Sequence, residues 1–216
     1  MNREPLATGE YYHIYNRGVD KRQIFSDERD IGRFLTCMKV FNSVEPILSL
    51  RDVFESKNGI THSAKNKLVD FIVYCLNPNH YHFILKQIVD GGTAELMKRL
   101  NGGYTWYFNK KNHRNGALLQ GRYKSRHIFD NETFLELSTY VTLNNKVHRI
   151  GGSTAGIVRS SWDEYVNGVK GICRKEIILD QFKDIKEYKK YAMDTLPTLL
   201  ERKKEEKELL ELLLED

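Results

Sequence analysis

Two histidines, His80 and His82, stand one residue apart inside the otherwise apolar segment NPNHYHFILK. Side chains at positions i and i+2 of a β-strand project from the same face, so both imidazoles would point together while Tyr81 points toward a core. Two imidazoles on one face can bind a single metal ion through their ring nitrogens. The same pair can instead contact solvent or backbone carbonyls, so the spacing alone leaves metal binding open.

A tyrosine and an asparagine, Tyr140 and Asn144, lie in the segment ETFLELSTYVTLNNKVHR (132–149), whose apolar spacing predicts a helix capped by Asp130 or Asn131. On a helix the two side chains are about 40° apart, at the edge of the apolar face. A tyrosine there usually hydrogen-bonds at the rim of a core, but it can also act as a nucleophile. Asn144 could add an amide oxygen to the two imidazoles. Such a set, with open positions, suits Mg²⁺ or Mn²⁺ better than a closed zinc site.

The surrounding segments predict an α+β fold. Strands are predicted at 10–18, 68–76, 80–88 and 125–129, with a tight turn at Pro78, and helices at 27–44, 93–112 and 132–149. This order describes a split β-α-β arrangement, a ferredoxin-like or RRM-like antiparallel sheet backed by helices. Residues 51–67 are predicted as a loop or insertion. The segment GGSTAG (151–156) predicts a boundary between a domain at 1–150 and a linker with a helical C-terminal extension at 151–216.

Composition and charge favour a soluble protein with a polyanionic partner. Of 216 residues, 40% are hydrophobic and 29% are charged, which is typical of a globular chain. No apolar run approaches the ~20 residues of a membrane span, and the N-terminus lacks a signal pattern. The three cysteines are far apart and odd in number, as expected of thiols in a reducing compartment, so we expect a cytoplasmic protein with no membrane partner. Between Lys86 and Arg126, nine basic residues and two acidic ones give a local charge of +7, which indicates a polyanion as partner.

Four motifs follow one another along the chain: YHIYNRG, NPNHYHFIL, YTWYFNKKN…LLQGRYKSRHI and TYVTLNN. Together they resemble the single-tyrosine HUH transposases, in particular the REP-associated tyrosine transposases. The resemblance extends over roughly residues 8–150. Beyond it, SSWDEYV (160–166) is similar to a tryptophan-serine motif that often follows in these proteins.

The resemblance implies a role for each matching residue. His80 and His82 fall on the two metal-binding histidines of the HUH motif, with Tyr81 as the bulky hydrophobic residue between them. Tyr140 falls on the nucleophilic tyrosine and Asn144 on the third metal ligand, and the implied cofactor is Mg²⁺ or Mn²⁺. The implied reaction is cleavage and rejoining of single-stranded or hairpin DNA through a 5′-phosphotyrosine intermediate.

Two features depart from the family pattern. Relatives commonly have Leu-Asn-Pro where this chain has Leu143-Asn144-Asn145, which favours a helix that continues past residue 144. Insertion-sequence enzymes often place glutamine or a carboxylate at the third-ligand position, so neutral Asn144 is expected to bind metal more weakly.

Basic residues near these motifs are candidates for DNA contacts. They are Arg17, Lys110, Lys111, Arg122, Lys124 and Arg126. The last three alternate and would share one face of a strand, where they can follow a phosphate backbone. For Arg17, a phosphate contact and an ion pair with an acidic side chain are equally compatible with the sequence. His13, His127 and His148 are expected to be structural or surface residues.

Two other functions fit parts of the sequence. A HUH nuclease of replication or plasmid transfer would share the histidine pair, but such enzymes often place the tyrosine elsewhere or use two, and carry a fused helicase. A non-catalytic nucleic-acid-binding regulator on the same fold has no evident need of the set His80, His82, Tyr140 and Asn144. A homodimer is also left open, since relatives act as monomers or as dimers that exchange the tyrosine helix.

Overall fold

The computed structural model describes residues 6–45, 66–150 and 156–212, with side chains described as far as residue 205. The predicted loop or insertion at 51–67 lies, up to residue 65, outside the described residues, as does most of the predicted linker. Within the described ranges, no helix is long and apolar enough to cross a membrane.

A five-stranded antiparallel sheet forms the centre of the structure. Its strands are β1 (Tyr11–Arg17), β2 (Val69–Asn77), β3 (His80–Gln87), β4 (Lys124–Ile128) and β5 (Arg159–Ser160). They lie in the order β4-β1-β3-β2-β5, and each neighbouring pair is antiparallel. The predicted α+β architecture with an antiparallel sheet and helices is confirmed.

Helices cover this sheet. They are α1 (Glu28–Phe41), α2 (Gly92–Lys111), α3 (Asn131–Thr142), α4 (Asn144–Val147), α5 (Trp162–Val166), α6 (Glu176–Leu179) and α7 (Ile185–Leu212). Two of them are capped by aspartates: the Asp27 side chain accepts from Asp30 N at 3.0 Å, and the Asp130 side chain accepts from Thr133 N at 2.8 Å. These bonds satisfy N–H groups that have no partner within the first helical turn, so they fix where α1 and α3 begin.

The strands alternate their side chains between two hydrophobic cores, one on each face of the sheet. On the first face, Ile14 and Phe83 pack with Phe34 of α1 and with side chains of α2. On the second face, Ile84 packs with Phe134 of α3. Since i and i+2 share a face, the histidines of β3 belong to the second face, beneath α3.

The predicted single helix at 132–149 is wrong, because the helix is divided at Leu143. That residue has φ −102° and ψ 16°, which ends α3 and begins α4. Asn144 is fully buried, and its Oδ1 accepts a hydrogen bond from Asn77 Nδ2 at 2.6 Å. The break occurs without the proline expected from relatives, and it leaves Asn144 at the first position of α4, where its side chain bonds to Asn77 of β2.

The segment after residue 156 belongs to the same architecture. Strand β5 pairs with β2 and forms an edge of the sheet, and the Ser161 hydroxyl accepts a hydrogen bond from Tyr74 N at 3.1 Å. Tyr165 of α5 and Tyr188 of α7 are buried in the second core. The region predicted as a helical extension therefore also supplies a strand, and its helices help to cover the second face of the sheet.

Candidate functional site

His80 and His82 lie at the start of β3, on the second face of the sheet. In the antiparallel register, His80 is opposite Arg17 and His82 is opposite Tyr15 of β1. A cleft of about 530 Å³ opens at this point, and Tyr140 of α3 forms part of its wall. Other lining residues are Asn16, Asn79, Gln120, Lys124, His148, Ile150 and Lys203.

The structure brings the four predicted site residues together. The rings of His80 and His82 have centroids 5.2 Å apart and planes at 89°. The half-buried Tyr140 ring lies edge-on to His82, with centroids 5.9 Å apart. Asn144 is fully buried directly behind His80, its Oδ1 3.1 Å from His80 Nε2. Three of the four residues thus line the cleft, and the fourth contacts one of them from inside.

Hydrogen bonds around His80 define which ring nitrogen carries the proton. Asn79 Nδ2 donates to the Lys21 carbonyl at 3.1 Å, so Asn79 Oδ1 is left to accept from His80 Nδ1 at 2.6 Å. In the neutral ring Nδ1 therefore bears the hydrogen and Nε2 has a lone pair. Asn77 Nδ2 donates to that lone pair at 2.9 Å and also to Asn144 Oδ1 at 2.6 Å.

Two acceptor atoms, His80 Nε2 and Asn144 Oδ1, consequently face each other at 3.1 Å. The repulsion of these lone pairs is offset by the N–H groups of Asn77 Nδ2, which point at both atoms. Two acceptor atoms this close could also serve a cation together. Asn144 Nδ2 is buried and has no hydrogen-bond partner in the described part of the chain, so the amide is oriented by the bond that its Oδ1 accepts from Asn77. Among the described residues, no group of three or more His, Cys, Asp or Glu side chains is placed to hold a metal ion. A metal here would need the amide oxygen as its third donor, and two imidazoles suit Mn²⁺ better than Mg²⁺, which prefers oxygen ligands.

Burial keeps these imidazoles neutral. Desolvation lowers the pKa of His80 to about 4. Desolvation also lowers the pKa of His82 well below its usual value, and the neighbouring His13 and His80 lower it further. Neutral rings at physiological pH retain the lone pair that a cation requires.

His13 of β1 is hydrogen-bonded directly to His82. His13 Nε2 and His82 Nδ1 are 2.8 Å apart, and the two rings are nearly coplanar, with planes at 15° and centroids 5.1 Å apart. Tyr15 stacks with both of them. Desolvation, aided by the charge of Arg126, lowers the pKa of His13 to about 4. The sequence analysis did not identify this contact, because His13 and His82 are 69 residues apart and only the sheet register joins them.

The predicted basic residues divide into those at the site and those elsewhere. Arg17 and Lys124 line the cleft. Arg126 lines a second cleft of about 680 Å³, on whose wall Tyr140 also lies. Arg122 precedes β4, so the predicted alternation within the strand holds only for Lys124 and Arg126.

Arg17 has no acidic partner in the described part of the chain. Its Nε is buried and has no hydrogen-bond partner in the described ranges. No ion pair joins it to an acidic side chain among the described residues. Its position in the cleft beside His80 is therefore better suited to an anionic ligand than to a structural ion pair.

Lys110 and Lys111 are not brought to the cleft, because α2 packs on the opposite face of the sheet. Lys111 Nζ donates to Asp27 at 2.8 Å and to the fully buried Asp30 at 2.7 Å. Lys110 Nζ lies 5.1 Å from the ring centroid of the exposed Trp106. The contacts of Lys111 join α2 to the start of α1.

The C-terminal helix contributes cations that the sequence analysis did not place at the site. Lys203 of α7 lines both clefts and Arg202 lines the second. Arg202 also forms an ion pair with Glu136 of α3. His148, expected to be structural or at the surface, has its ring 5.1 Å from that of His80. No sequence signal could have located the side chains of α7, since α7 reaches the site by packing against α3 and α4. His148 does have such a signal, because it stands four positions, about one helical turn, after Asn144.

No protein-family model matches this chain, and no curated protein sequence matches it. Among solved structures, it is similar to a REP-associated tyrosine transposase bound to a REP hairpin. The identity is 14% and the TM-score 0.46, over 80% of this chain and 88% of that chain. A likeness at this level carries no conclusion about activity, which has to follow from the chain's own motifs and site geometry.

Proposed function

We propose that this protein is a metal-dependent DNA endonuclease and strand transferase of the transposase type, with Tyr140 as the nucleophile. The observation that carries the proposal is the meeting of the Tyr140 phenol with two neutral imidazoles, His80 and His82, in one cleft. The same residues, with Asn144, stand at the matching positions of the HUH transposase motifs. A tyrosine that only packed at the rim of a core would not require two neutral imidazoles beside it.

The fold is consistent with the resemblance. The connectivity of β1, α1, β2, β3, α2 and β4, with strand order β4-β1-β3-β2, agrees with the proposed ferredoxin-like plan. The start of β3 and the C-terminal end of α3 lie on the same face of the sheet. The histidine pair and the tyrosine, 58 to 60 positions apart in the sequence, meet for that reason.

The proposed ligands of Mg²⁺ or Mn²⁺ are His80, His82 and the amide oxygen of Asn144. When bound, the ion would supply positive charge at a phosphate oxygen and so make the phosphorus more electrophilic. His82 has its Nδ1 engaged with His13, which leaves Nε2 as its ligating atom. Because all three donors are neutral, the charge of the ion is left to be balanced by the phosphate of the substrate.

The wall of the cleft supports a phosphate-bearing substrate. Arg17, Lys124 and Lys203 line it, and no acidic side chain of the described residues does. A cleft wall that carries positive side chains and no carboxylate attracts a nucleic-acid backbone. The ring of Tyr15, on the same wall, offers a flat surface on which an unpaired base can stack.

The covalent step is a transfer of a phosphoryl group to tyrosine. The Tyr140 oxygen loses its proton and bonds to phosphorus, the bond from phosphorus to the 3′ oxygen breaks, and the 3′ oxygen leaves as a hydroxyl after taking up a proton. The products are a 5′-phosphotyrosine link and a free 3′-OH. A phosphate ester is exchanged for another, so a 3′-OH can attack the link in reverse and rejoin strands without ATP. Tyr140 and both histidines of the cleft belong to one chain, which supports a reaction within a single copy.

The proposal can be tested with full-length protein, Mn²⁺ and a pool of hairpin oligonucleotides with randomised single-stranded flanks. A label at the 3′ end should become attached to protein in an SDS-resistant complex. A label at the 5′ end should be released on a fragment that ends in a 3′-OH. Sequencing of the released fragments would then give the cleavage site.

Two variants separate the nucleophile from other tyrosines. Tyr140→Phe should abolish the covalent complex, whereas Tyr191→Phe, a half-buried tyrosine of α7 outside both clefts, should leave it unchanged. An adduct formed by Tyr140→Phe would refute the assignment of the nucleophile. Binding of the pool by the native protein without any adduct would instead support a non-catalytic regulator.

A further inference from the structure

We infer that His13 is a positioning residue, whose ring accepts a hydrogen bond from His82 Nδ1 and so presents His82 Nε2 to a divalent cation. The inference rests on the proposed function, since it concerns the same cation. It assigns a role to a third histidine, which the family motifs quoted above do not include among the site residues.

The geometry is that of two neighbouring strands. His13 lies on β1 and His82 on β3, where β1 pairs with β3 so that Tyr15 is opposite His82. The two histidines are diagonal neighbours on one face, and both are buried, with 7% and 8% of their surface exposed. Their nitrogens are 2.8 Å apart, so one proton must lie between them if the contact is to be favourable.

That proton has two possible positions, and only one allows metal binding. If His82 Nδ1 carries it, His13 Nε2 accepts and His82 Nε2 is left with a lone pair. If His13 Nε2 carries it, the neutral His82 ring must hold its hydrogen on Nε2, which then cannot bind a cation. A cation can therefore bind His82 Nε2 only when His13 Nε2 accepts the hydrogen bond from His82 Nδ1.

His80, the other histidine proposed as a metal ligand, also donates a hydrogen bond through Nδ1 to a neighbouring side chain. His80 donates through Nδ1 to Asn79 Oδ1 at 2.6 Å and retains the lone pair on Nε2. Each histidine of the pair thus has its Nδ1 engaged by a neighbouring side chain, one by an amide oxygen and one by an imidazole nitrogen. Partners of this kind fix the orientation and tautomer of metal-binding histidines, and their loss typically costs about 10–100-fold in metal affinity.

Packing of a flat ring is the competing explanation for the His13 contact. The His13 ring fills the space beside His82 in nearly the same plane, and Tyr15 stacks on His82 with ring centroids 5.6 Å apart. Packing alone could hold His82 in place without any hydrogen bond. The two explanations differ in which substitution of His13 should preserve metal affinity. If packing matters, another flat ring should suffice; if the hydrogen bond matters, the new side chain must offer an acceptor atom.

The experiment measures Mn²⁺ affinity of the full chain without DNA, by the electron paramagnetic resonance signal of free Mn²⁺. His13→Phe keeps a flat ring but no acceptor and should weaken binding about 10–100-fold. His13→Gln keeps an acceptor oxygen without the ring and should stay within a few-fold of the native protein. His113→Gln, at an exposed position outside both clefts, is the matched control and should bind as the native protein does.

A second measurement does not depend on the variants remaining folded. In native protein labelled with ¹⁵N and loaded with diamagnetic Cd²⁺, the imidazole shifts should show His82 protonated at Nδ1 and His13 unprotonated at Nε2. The reverse pattern overturns the inference. So does native affinity in His13→Phe, or equal weakening in the Phe and Gln variants.

These outcomes are distinct from failure of the proposed function. Native Mn²⁺ affinity in His13→Phe, together with a Tyr140-dependent adduct, would remove only the role of His13. Failure of the native protein to bind Mn²⁺ or to form an adduct would remove both.

Discussion

Asn144 Oδ1 lies 3.1 Å from His80 Nε2, and both atoms are acceptors that share a single donor, Asn77 Nδ2. The break between α3 and α4 places Asn144 there, since a helix continuing through Leu143 would carry residue 144 along a different path. The contact therefore links a local irregularity of the backbone to the chemistry of the cleft.

Substitutions of Asn144 should change Mn²⁺ affinity in opposite directions. Asn144→Asp replaces a neutral oxygen by an anionic one and should tighten binding about tenfold, equivalent to about 1.4 kcal/mol. Asn144→Ala removes the oxygen and should weaken binding by at least a similar factor. Titration with Mn²⁺ measures both, and Asn145→Asp, one residue further on and only partly buried, is the control with native affinity expected.

The same aspartate should destabilise the metal-free protein, because its charge would be buried without a counter-ion. The thermal midpoint of Asn144→Asp should therefore rise more on adding Mn²⁺ than that of the native chain. If the Asp and Ala variants both bind Mn²⁺ like the native protein, Asn144 is not a ligand.

Lys203 should contribute to DNA affinity, and its neighbour Lys204 should not. Lys203 lines both clefts, whereas the exposed Lys204 lines neither. Lys203→Ala should weaken binding of single-stranded DNA and reduce the salt dependence of log K by about 0.7, the value for one phosphate contact on a single strand. Binding titrations between low and moderate salt measure this slope. Equal effects of Lys203→Ala and Lys204→Ala would mean that only the net charge of α7 matters.

Lys111 should affect stability rather than DNA binding. Lys111→Met leaves the fully buried Asp30 without its ammonium partner, although Tyr107 and the Ser26 backbone still donate to it. Loss of a hydrogen bond to a charged group should lower the free energy of unfolding by about 2 kcal/mol. Lys110→Met, the adjacent substitution, should change it by less than about 0.5 kcal/mol. Urea unfolding measures both.

DNA affinity of the folded Lys111 variant should equal that of the native protein. A clear loss of affinity without loss of stability would restore Lys111 as a DNA contact, as the sequence analysis predicted.

Local periodicity explains what the sequence could predict of the fold and the site. His80 and His82 share a face because alternation is a property of any strand. The strands and long helices followed from apolar spacing, and Asp27 and Asp130 from the need to cap a first turn. None of these inferences requires knowledge of residues far away in the sequence.

The unpredicted parts depend on contacts between distant segments. The hydrogen bond of His13 requires the register of β1 against β3, which no single-strand pattern specifies. Lys203 requires the packing of α7, and the place of Asn144 beside His80 requires the bond to Asn77, 67 residues away in the sequence. The proposed roles of Lys110 and Lys111 came from a charge count along the chain, which does not reveal on which side of the sheet α2 lies.

Acid should destabilise the metal-free protein between about pH 6.5 and pH 4. Burial lowers the pKa of His13 and His80 to about 4 and that of His82 well below its usual value. In the unfolded chain each ring takes up a proton near pH 6.5. Within this window the unfolded state binds more protons than the folded state, so the free energy of unfolding falls as the pH falls. The contribution of the neutral buried histidines to stability is complete above their pKa in the unfolded chain. It is lost as the pH falls toward their lower pKa in the folded protein.

The loss should reach several kcal/mol by pH 4, since each unit of pKa difference corresponds to about 1.4 kcal/mol. Urea unfolding in the presence of a chelator, from pH 7.5 to pH 4.5, measures it. His13→Gln removes one of the three titrating rings and should make the profile shallower, while His113→Gln should leave it as it is. A native profile that is flat over this range would mean that the buried rings take up protons without unfolding, and would contradict the neutral imidazoles on which cation binding depends.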